Sequence, residues 1–302
     1  MILITPYHSQ QSVLSKETGM NKKGITLIEL LIVLVISSIL IAGIYRTFIH
    51  QQHTYTVQEQ VVDMQQNVRM GINQMVREIR MAGFGKQYEV LNTGGWGAGG
   101  MHGRYKSVVW PSDDGQSMTV VGAYEQVTFL TANAGSGTNI LQVNDGSFFN
   151  KGGLQYISIN GTESQRIKDI VGNQIELFDD LLENHFQNEP VFRVIAITYS
   201  LGNFEGKASL LRSNNLPDPD TAVPQPLAEN IEFLQFTYTL NDGSVFVGMV
   251  PGGPTEIRKI RMVQVTIRAR TDRADPELGG GGDGFRRRTL TSNIQLRNLS
   301  SL

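Results

Sequence analysis

The apolar residues of the chain are concentrated in one stretch near the N-terminus. The run Ile25–Ile44 contains a single charged residue, Glu29. A helix of about 20 residues rises about 30 Å, which is enough to cross the hydrocarbon core of a bilayer. The sequence therefore predicts a membrane-spanning helix over residues 25–49. A carboxylate inside such a segment costs about 2.5–3.5 kcal/mol on insertion scales, so we expect a compensating partner for Glu29.

A second apolar pattern continues the helix beyond this segment. Apolar side chains recur at intervals of three or four residues at Val57, Val61, Met64, Val68, Ile72, Met75, Ile79 and Ala82. This spacing places them in one stripe of an amphipathic helix. No proline occurs between Gly24 and Phe84, whereas Gly83 and Gly85 are typical of a helix end. We predict one continuous helix from about Ile25 to Ala82, with residues 50–82 packing on the chain's own globular domain.

After Ala82 the pattern changes to short β-type runs separated by Gly, Asn, Asp and Pro. The predicted strands are Glu125–Thr131, Asn139–Asn144, Leu154–Asn160, Gln174–Phe178, Val191–Leu201, Ile231–Leu240, Ile260–Arg270 and Thr289–Leu296. Alternation of apolar and polar residues indicates a half-buried strand at 231–240, whereas 191–201 is apolar on both faces, as in a central strand. The fold class is therefore α+β: a long N-terminal α-helix packed on a β-rich domain at 83–302, in which 130–200 is a candidate insertion.

The composition offers few residues that could form a catalytic or metal-binding site. The chain has no cysteine, five scattered histidines and a formal net charge of −2. It contains neither an HExxH nor a GxSxG motif, so we expect no enzyme activity, no cofactor and no metal. Residues 256–302 are basic, with ten Arg or Lys against five Asp or Glu. A solvated strand face is the ordinary interpretation; pairing with acidic neighbours and weak phosphate contact are alternatives, and nucleic acid is not the expected partner.

The residues that open the apolar run carry a resemblance. Lys22 and Lys23 precede Gly24, and Ile25-Thr26-Leu-Ile-Glu29 follows. This order resembles the class III signal of type IV prepilins and of type II secretion pseudopilins, in which a membrane-embedded prepilin peptidase cuts after the glycine and methylates the new N-terminus.

The resemblance implies a role for each residue of the motif. It implies cleavage between Gly24 and Ile25 and N-methylation of Ile25, where the family usually has phenylalanine. It also implies that Glu29 pairs with the N-terminal amine of an adjacent subunit during assembly. Thr26 is expected to bond back to the helix or to a neighbour. Lys22 and Lys23 are expected to stay cytoplasmic by the positive-inside tendency.

Residues 1–24 are therefore expected to form a leader peptide that is absent from the mature protein. Residues 1–19 are polar and lack the apolar region of a secretory signal. Family leaders are usually short, and Met20-Asn-Lys-Lys-Gly is a complete one. Met20 is therefore an alternative start of translation.

The second half of the chain resembles one branch of the family more loosely. The segments LAENIEFLQFTYTLNDG, IRKIRMVQVTIRART and RRRTLTSNIQLRNL are similar to the C-terminal pattern of the large minor pilins called PilW-like. This resemblance implies a minor pilin that acts in the priming or tip complex of a type IV pilus. A type II secretion pseudopilin, or a pilus-tip module for adhesion or DNA binding, is the alternative.

The expected partners and location follow from the same resemblance. The partners are prepilin peptidase, other major and minor pilins, the inner membrane and the pilus assembly platform. The expected location is the inner membrane, crossed once, with a periplasmic domain, and the pilus filament or tip after assembly.

Overall fold

The computed structural model describes residues 24–85, 105–149, 155–214, 222–278 and 282–299. Lys22, Lys23 and the rest of the expected leader before Gly24 lie outside the described residues. The chain divides into two compact units, Met1–Tyr55 and Thr56–Leu302. Helix α1 runs from Leu27 to Met81, and β-strands follow it, so the predicted α+β fold is confirmed.

In the first unit, the side chains of helix α1 are exposed as far as Gln52. Every residue from Gly24 to Gln52 is exposed, and the helix is long and apolar enough to cross a membrane. Ser38 Oγ donates to the Leu34 carbonyl at 2.7 Å and Thr47 Oγ1 donates to the Gly43 carbonyl at 3.0 Å. These bonds satisfy the hydroxyl groups within their own helix, as an apolar environment requires.

In the second unit, the same helix buries one stripe. The buried residues of α1 are Met64, Val68, Gly71, Met75, Glu78 and Ile79, and Ala82 directly after the helix is buried too. Val61 and Ile72 are partly buried against the same core. The predicted stripe is thus confirmed from residue 61 onward, with one charged side chain inside it that the apolar pattern did not include.

Within the described ranges, this unit contains two sheets, and the first has nine antiparallel strands. Their bounds are β1 Val109–Pro111, β2 Met118–Phe129, β3 Ile140–Gln142, β4 Tyr156–Ile159, β5 Glu163–Val171, β6 Gln174–Leu177, β7 Pro190–Phe204, β8 Lys207–Asn214 and β9 Gln225–Glu229. The main order is β1-β2-β7-β4-β5-β6-β3, and β8 joins β7 to β9.

Strand β7 holds this sheet together. It pairs with β2 along one edge, and its other edge pairs first with β4 at residues 191–194 and then with β8 at residues 197–204. Because both edges are paired, β7 is a central strand. The sequence prediction for 191–201 is therefore confirmed, although the strand extends three residues further, to Phe204.

The second sheet has four antiparallel strands in the order β11-β10-β12-β13. Their bounds are β10 Ile231–Leu240, β11 Val245–Val247, β12 Ile260–Arg270 and β13 Arg287–Gln295. Short helix α2 (Pro254–Ile257) precedes β12, and a 3₁₀ turn (Pro276–Leu278) follows it. The inward side chains of β10 are Leu234, Phe236, Tyr238 and Leu240, as the alternation predicts.

The buried apolar side chains of the described residues form two clusters. The larger one includes the buried stripe of α1 together with inward residues of both sheets. The smaller one lies among β3, β5 and β6 and includes Leu141, Ile170 and Ile175. Within 130–200, the candidate insertion, these strands enclose their own core, while β4 and β7 pair in the same sheet as β2.

Two tight turns occur at glycine and asparagine residues that end or separate predicted strands. Asn160 and Gly161 both have positive φ, 52° and 71°, between β4 and β5. Gly243 has φ 85° between β10 and β11. A positive φ favours glycine or asparagine, since other side chains strain the backbone there.

Candidate functional site

The first candidate site is the junction between Gly24 and the start of α1. Gly24, Ile25 and Thr26 precede the helix and are exposed. A Cβ built on Gly24 meets nothing within 4 Å, and its backbone has no positive φ. The fold of the described chain therefore does not require glycine at this position. The Ile25 side chain is 73% exposed and belongs to neither of the two apolar clusters.

Thr26 begins the helix as its N-cap. Its Oγ1 accepts a hydrogen bond from the Glu29 backbone N–H at 3.3 Å, and its carbonyl accepts one from the Leu30 N–H at 3.2 Å. Threonine three residues before glutamate is the spacing of a capping box, in which the threonine satisfies a backbone N–H group that has no partner in the helix. The bond back to the helix expected for Thr26 is therefore present.

Glu29 lies in the first turn of α1 and is exposed. The N-terminus of a helix carries a partial positive charge, so a carboxylate there is stabilised by about 0.3–1 kcal/mol. The structure thus brings Thr26 and Glu29 into one turn, immediately after Ile25.

The second candidate site is a partly buried polar cluster near the other end of α1, which we call the helix anchor: Gln74, Glu78, Tyr199 and Arg212. Arg212 on β8 donates to both oxygens of Glu78, from Nε to Oε2 and from Nη2 to Oε1, each at 3.0 Å. The Tyr199 hydroxyl on β7 and the Gln74 amide one turn earlier also donate to this carboxylate. One carboxylate therefore ties α1 to two neighbouring strands.

The electrostatics of the helix anchor keep its donors protonated. Burial and the charge of Glu78 raise the pKa of Tyr199 and, well above its ordinary value, the pKa of Tyr124. The Tyr124 hydroxyl on β2 donates to the backbone carbonyl of Glu78 at 3.0 Å. Burial lowers the pKa of Arg212, but its hydrogen bonds to Glu78 outweigh this, so the net pKa is raised. The anchor is therefore an ion pair between Glu78 and Arg212 with further hydrogen bonds that join α1 to the sheet.

Sequence reasoning missed the helix anchor. One signal was present: Glu78 directly precedes Ile79 on the face predicted to be buried, and a charge there requires a partner. The partner could not be found from the pattern, because Arg212 lies on β8, a strand that was not predicted. The two residues are 134 positions apart.

A third polar cluster lies beside the smaller core. The buried carboxylate of Glu163 accepts bonds from the backbone N–H groups of Leu182 at 2.9 Å and Glu183 at 3.0 Å. His185 is buried between two carboxylates, with Nε2 3.3 Å from Glu163 Oε2 and Nδ1 2.8 Å from Glu189 Oε2. A neutral imidazole has only one N–H, so both contacts are hydrogen bonds only when His185 is protonated.

The pKa values of the two central groups, Glu163 and His185, are shifted in opposite directions. Burial alone would raise the pKa of Glu163, but hydrogen bonds from His185, Gln165 and two backbone N–H groups lower it to about 2. Burial alone would lower the pKa of His185, but its bonds to Glu163 and Glu189 raise it. Both shifts favour the charged pair.

The basic C-terminal strands are partly neutralised within the fold. Arg287 on β13 donates to Glu232 on β10 at 2.7 and 3.0 Å and also pairs with Asp283. Arg270 and Arg268 on β12 lie 3.4 and 3.9 Å from the same Glu232 carboxylate. These contacts lower the pKa of Glu232. Three arginines of the basic strands therefore pair with a carboxylate of the same sheet.

Residues 19–45 match the family model described as the prokaryotic N-terminal methylation motif. No curated protein and no solved structure matches the chain significantly. The matched segment contains the whole of the first candidate site, from Lys22 to Glu29, and supports a prepilin-like protein of the type IV pilin or pseudopilin kind. The match ends at residue 45, before the helix anchor and both sheets.

Proposed function

We propose that this protein is a minor pilin of the large PilW-like kind, a structural subunit without enzyme activity or cofactor. Prepilin peptidase cleaves it between Gly24 and Ile25 and methylates Ile25. The first half of α1 holds it in the inner membrane, with the unit Thr56–Leu302 on the periplasmic side. It then joins other pilins at the assembly platform, in the priming or tip complex. The observation that carries the proposal is the methylation motif at residues 19–45, which coincides with the apolar part of α1 that is exposed up to Gln52.

The geometry at Gly24 supports the cleavage step. Since none of the described residues lies within 4 Å of a Cβ placed there, packing within the described part of the chain does not account for the glycine. An extended backbone that must fit closely into a protease does account for it, because only glycine has no side chain. Lys22 and Lys23 before the cut would keep the leader on the cytoplasmic side.

The exposed apolar surface supports assembly through the helix. In lipid, and in a bundle of sibling helices, an apolar side chain needs no water, so the exposed residues from Leu27 to Ile49 suit both environments. Assembly then exchanges contacts with lipid for contacts with other helices.

Glu29 supplies a negative charge that can compensate the N-terminal amine when the helix moves from lipid into a bundle of helices. Cleavage would place a protonated amine on Ile25, next to the positive end of the helix dipole. The amine and the positive end of the helix dipole repel each other. A charged amine and a charged carboxylate are each costly in an apolar filament core unless they are paired. The carboxylate of Glu29 in a neighbouring subunit cancels the amine, and the amine cancels the carboxylate.

The test separates this charge from the capping role seen in the structure. Glutamine at the third helical position still completes a capping box. Glu29→Gln therefore keeps the cap and removes only the charge. Thr26→Ala removes the cap, at a cost of about 1 kcal/mol to the helix end, and keeps the charge. Glu59→Gln, an exposed site on the same helix, is the matched control.

We expect cleavage at Gly24 and membrane insertion in all three variants. Co-purification of other pilin-like proteins should fall more than about tenfold in Glu29→Gln, since a buried charge would lose its partner. It should remain near normal in Glu59→Gln and Thr26→Ala. Normal recruitment by Glu29→Gln would reject the pairing role. The co-purified proteins also identify the system: secretion-channel components would favour a pseudopilin over a pilus subunit.

A further inference from the structure

Two loops beside the smaller core are joined into one surface, which we call the paired loops: residues 131–138 and 178–189. Ala134 and His185 exchange backbone hydrogen bonds in both directions, at 2.9 and 2.8 Å. The Gly137 N–H donates to the Leu181 carbonyl at 2.8 Å. The Gln187 N–H donates to the Asn133 side chain at 2.9 Å. The two segments therefore support each other along their length.

The paired loops are also held from inside. Between residues 178 and 188, only Leu181 and His185 are buried, and the nine others are exposed. The Glu163 carboxylate on β5 receives the N–H groups of Leu182 and Glu183 and contacts the His185 ring. At the start of the loop, the Arg166 guanidinium lies 3.6 Å from the ring centroid of Phe178. An ion pair inside the core thus sets the shape of an exposed loop.

The exposed side chains of the segment 178–189 include large apolar ones and acidic ones. Leu182 is 77% exposed and Phe186 is 60% exposed. Asp179, Asp180 and Glu183, which are close to them in sequence, are exposed too. The segment 178–189 contains no lysine or arginine, and 131–138 contains no charged residue. Large exposed apolar side chains on hydrogen-bonded segments suit a binding surface, because preorganised segments lose less conformational entropy when they bind.

We propose that the paired loops dock a partner protein through an apolar pocket that is bordered by lysine or arginine. Leu182 and Phe186 enter the pocket, and Asp179, Asp180 and Glu183 face its basic border. Opposite charges at the border of an interface guide encounter and fix orientation, while the central apolar side chains supply most of the affinity.

The charges decide against other classes of ligand. Nucleic acid presents a dense row of phosphates, which three exposed carboxylates repel. The surface of an anionic membrane repels them for the same reason. A basic, apolar protein surface satisfies both the charge and the hydrophobic character of the loop.

The experiment uses the full chain in its own cells with a photo-crosslinking amino acid at position 182. The control places the same amino acid at Val171, which is 63% exposed at the β5–β6 turn beside the same core. Crosslinked peptides are identified by mass spectrometry. The double variant Asp179→Lys with Asp180→Lys then tests the charges, because exposed residues can be reversed without disturbing the core.

We expect a discrete crosslink to one partner protein from position 182 and none from position 171. The partner peptide should contain lysine or arginine beside apolar residues, and the charge reversal should lower the yield at least about tenfold. No crosslink at 182, equal yields at both positions, a crosslink to a second copy of this chain, or a yield unaffected by charge reversal would each overturn the proposal.

This surface does not depend on the proposed function. Cleavage at Gly24 is measured in the same cells. A crosslinked partner in a strain that does not process the protein would support the docking surface and reject the pilin role. Normal processing without a crosslink would support the pilin role and reject the docking surface.

Discussion

Replacing Glu78 by glutamine tests whether the helix anchor holds α1 on the sheets. Glutamine has nearly the same volume, so packing is preserved while the charge is removed. Arg212 then loses its counter-charge, and the Tyr199 hydroxyl loses a charged acceptor. Removing one partner of a buried ion pair costs about 3–5 kcal/mol.

The structure selects the lower end of that range. The side chain of Glu78 is 9% exposed and that of Arg212 is 24% exposed, so the arginine can recover part of its hydration. We therefore expect a loss of about 3 kcal/mol in the free energy of unfolding. For domains of about 150–250 residues this lowers Tm by about 6–12 °C.

The assay is thermal unfolding of the purified full chain in detergent. It is monitored through the β-sheet signal in the circular dichroism spectrum. Glu59→Gln, an exposed position on the same helix, is the control and should change Tm little. Arg212→Met and the double variant complete a mutant cycle. The double variant should be more stable than the sum of the single effects predicts, by about 1–3 kcal/mol. A Tm for Glu78→Gln within about 1 °C of the control would refute the reasoning.

Two further predictions concern cleavage and pH. Gly24→Val should leave uncleaved precursor in the inner membrane, because a branched side chain obstructs the extended backbone, and a blot that shows the mature size in cells with active peptidase would contradict this. His185→Gln should destabilise the protein more at about pH 5.5 than at about pH 9. The raised pKa means that the stability from protonated His185 is full below about pH 6.5 and is lost as the pH rises through the folded-state value. The comparison is the Tm difference from the unsubstituted protein, and a difference independent of pH would reject the contacts of His185 with Glu163 and Glu189.

Elements with a regular apolar period were predictable from the sequence. The predicted strands Ile231–Leu240 and Ile260–Arg270 coincide with β10 and β12, because each buries one face of an antiparallel sheet. The α1 stripe follows the same logic with a helical period.

Elements with polar interiors were not predictable in this way. Strands β5 and β8 were missed, since β5 buries Glu163, Ser164 and Gln165 and β8 carries Lys207 and Arg212. Several of their polar groups are satisfied by partners distant in sequence, such as Leu182 for Glu163 and Glu78 for Arg212, so the local pattern carries little sign of burial. The first candidate site is local, lies within eight consecutive residues from Lys22 to Glu29, and could be identified from the sequence alone. The helix anchor and the paired loops exist only once the chain has folded.

The mature N-terminus tests the central claim most directly. The protein is purified from membranes of cells with active prepilin peptidase, and its N-terminal peptide is analysed by mass spectrometry. The account predicts a chain that begins at Ile25 and carries one added methyl group on its amine. A mature chain that begins at Met1 or Met20 would contradict the account.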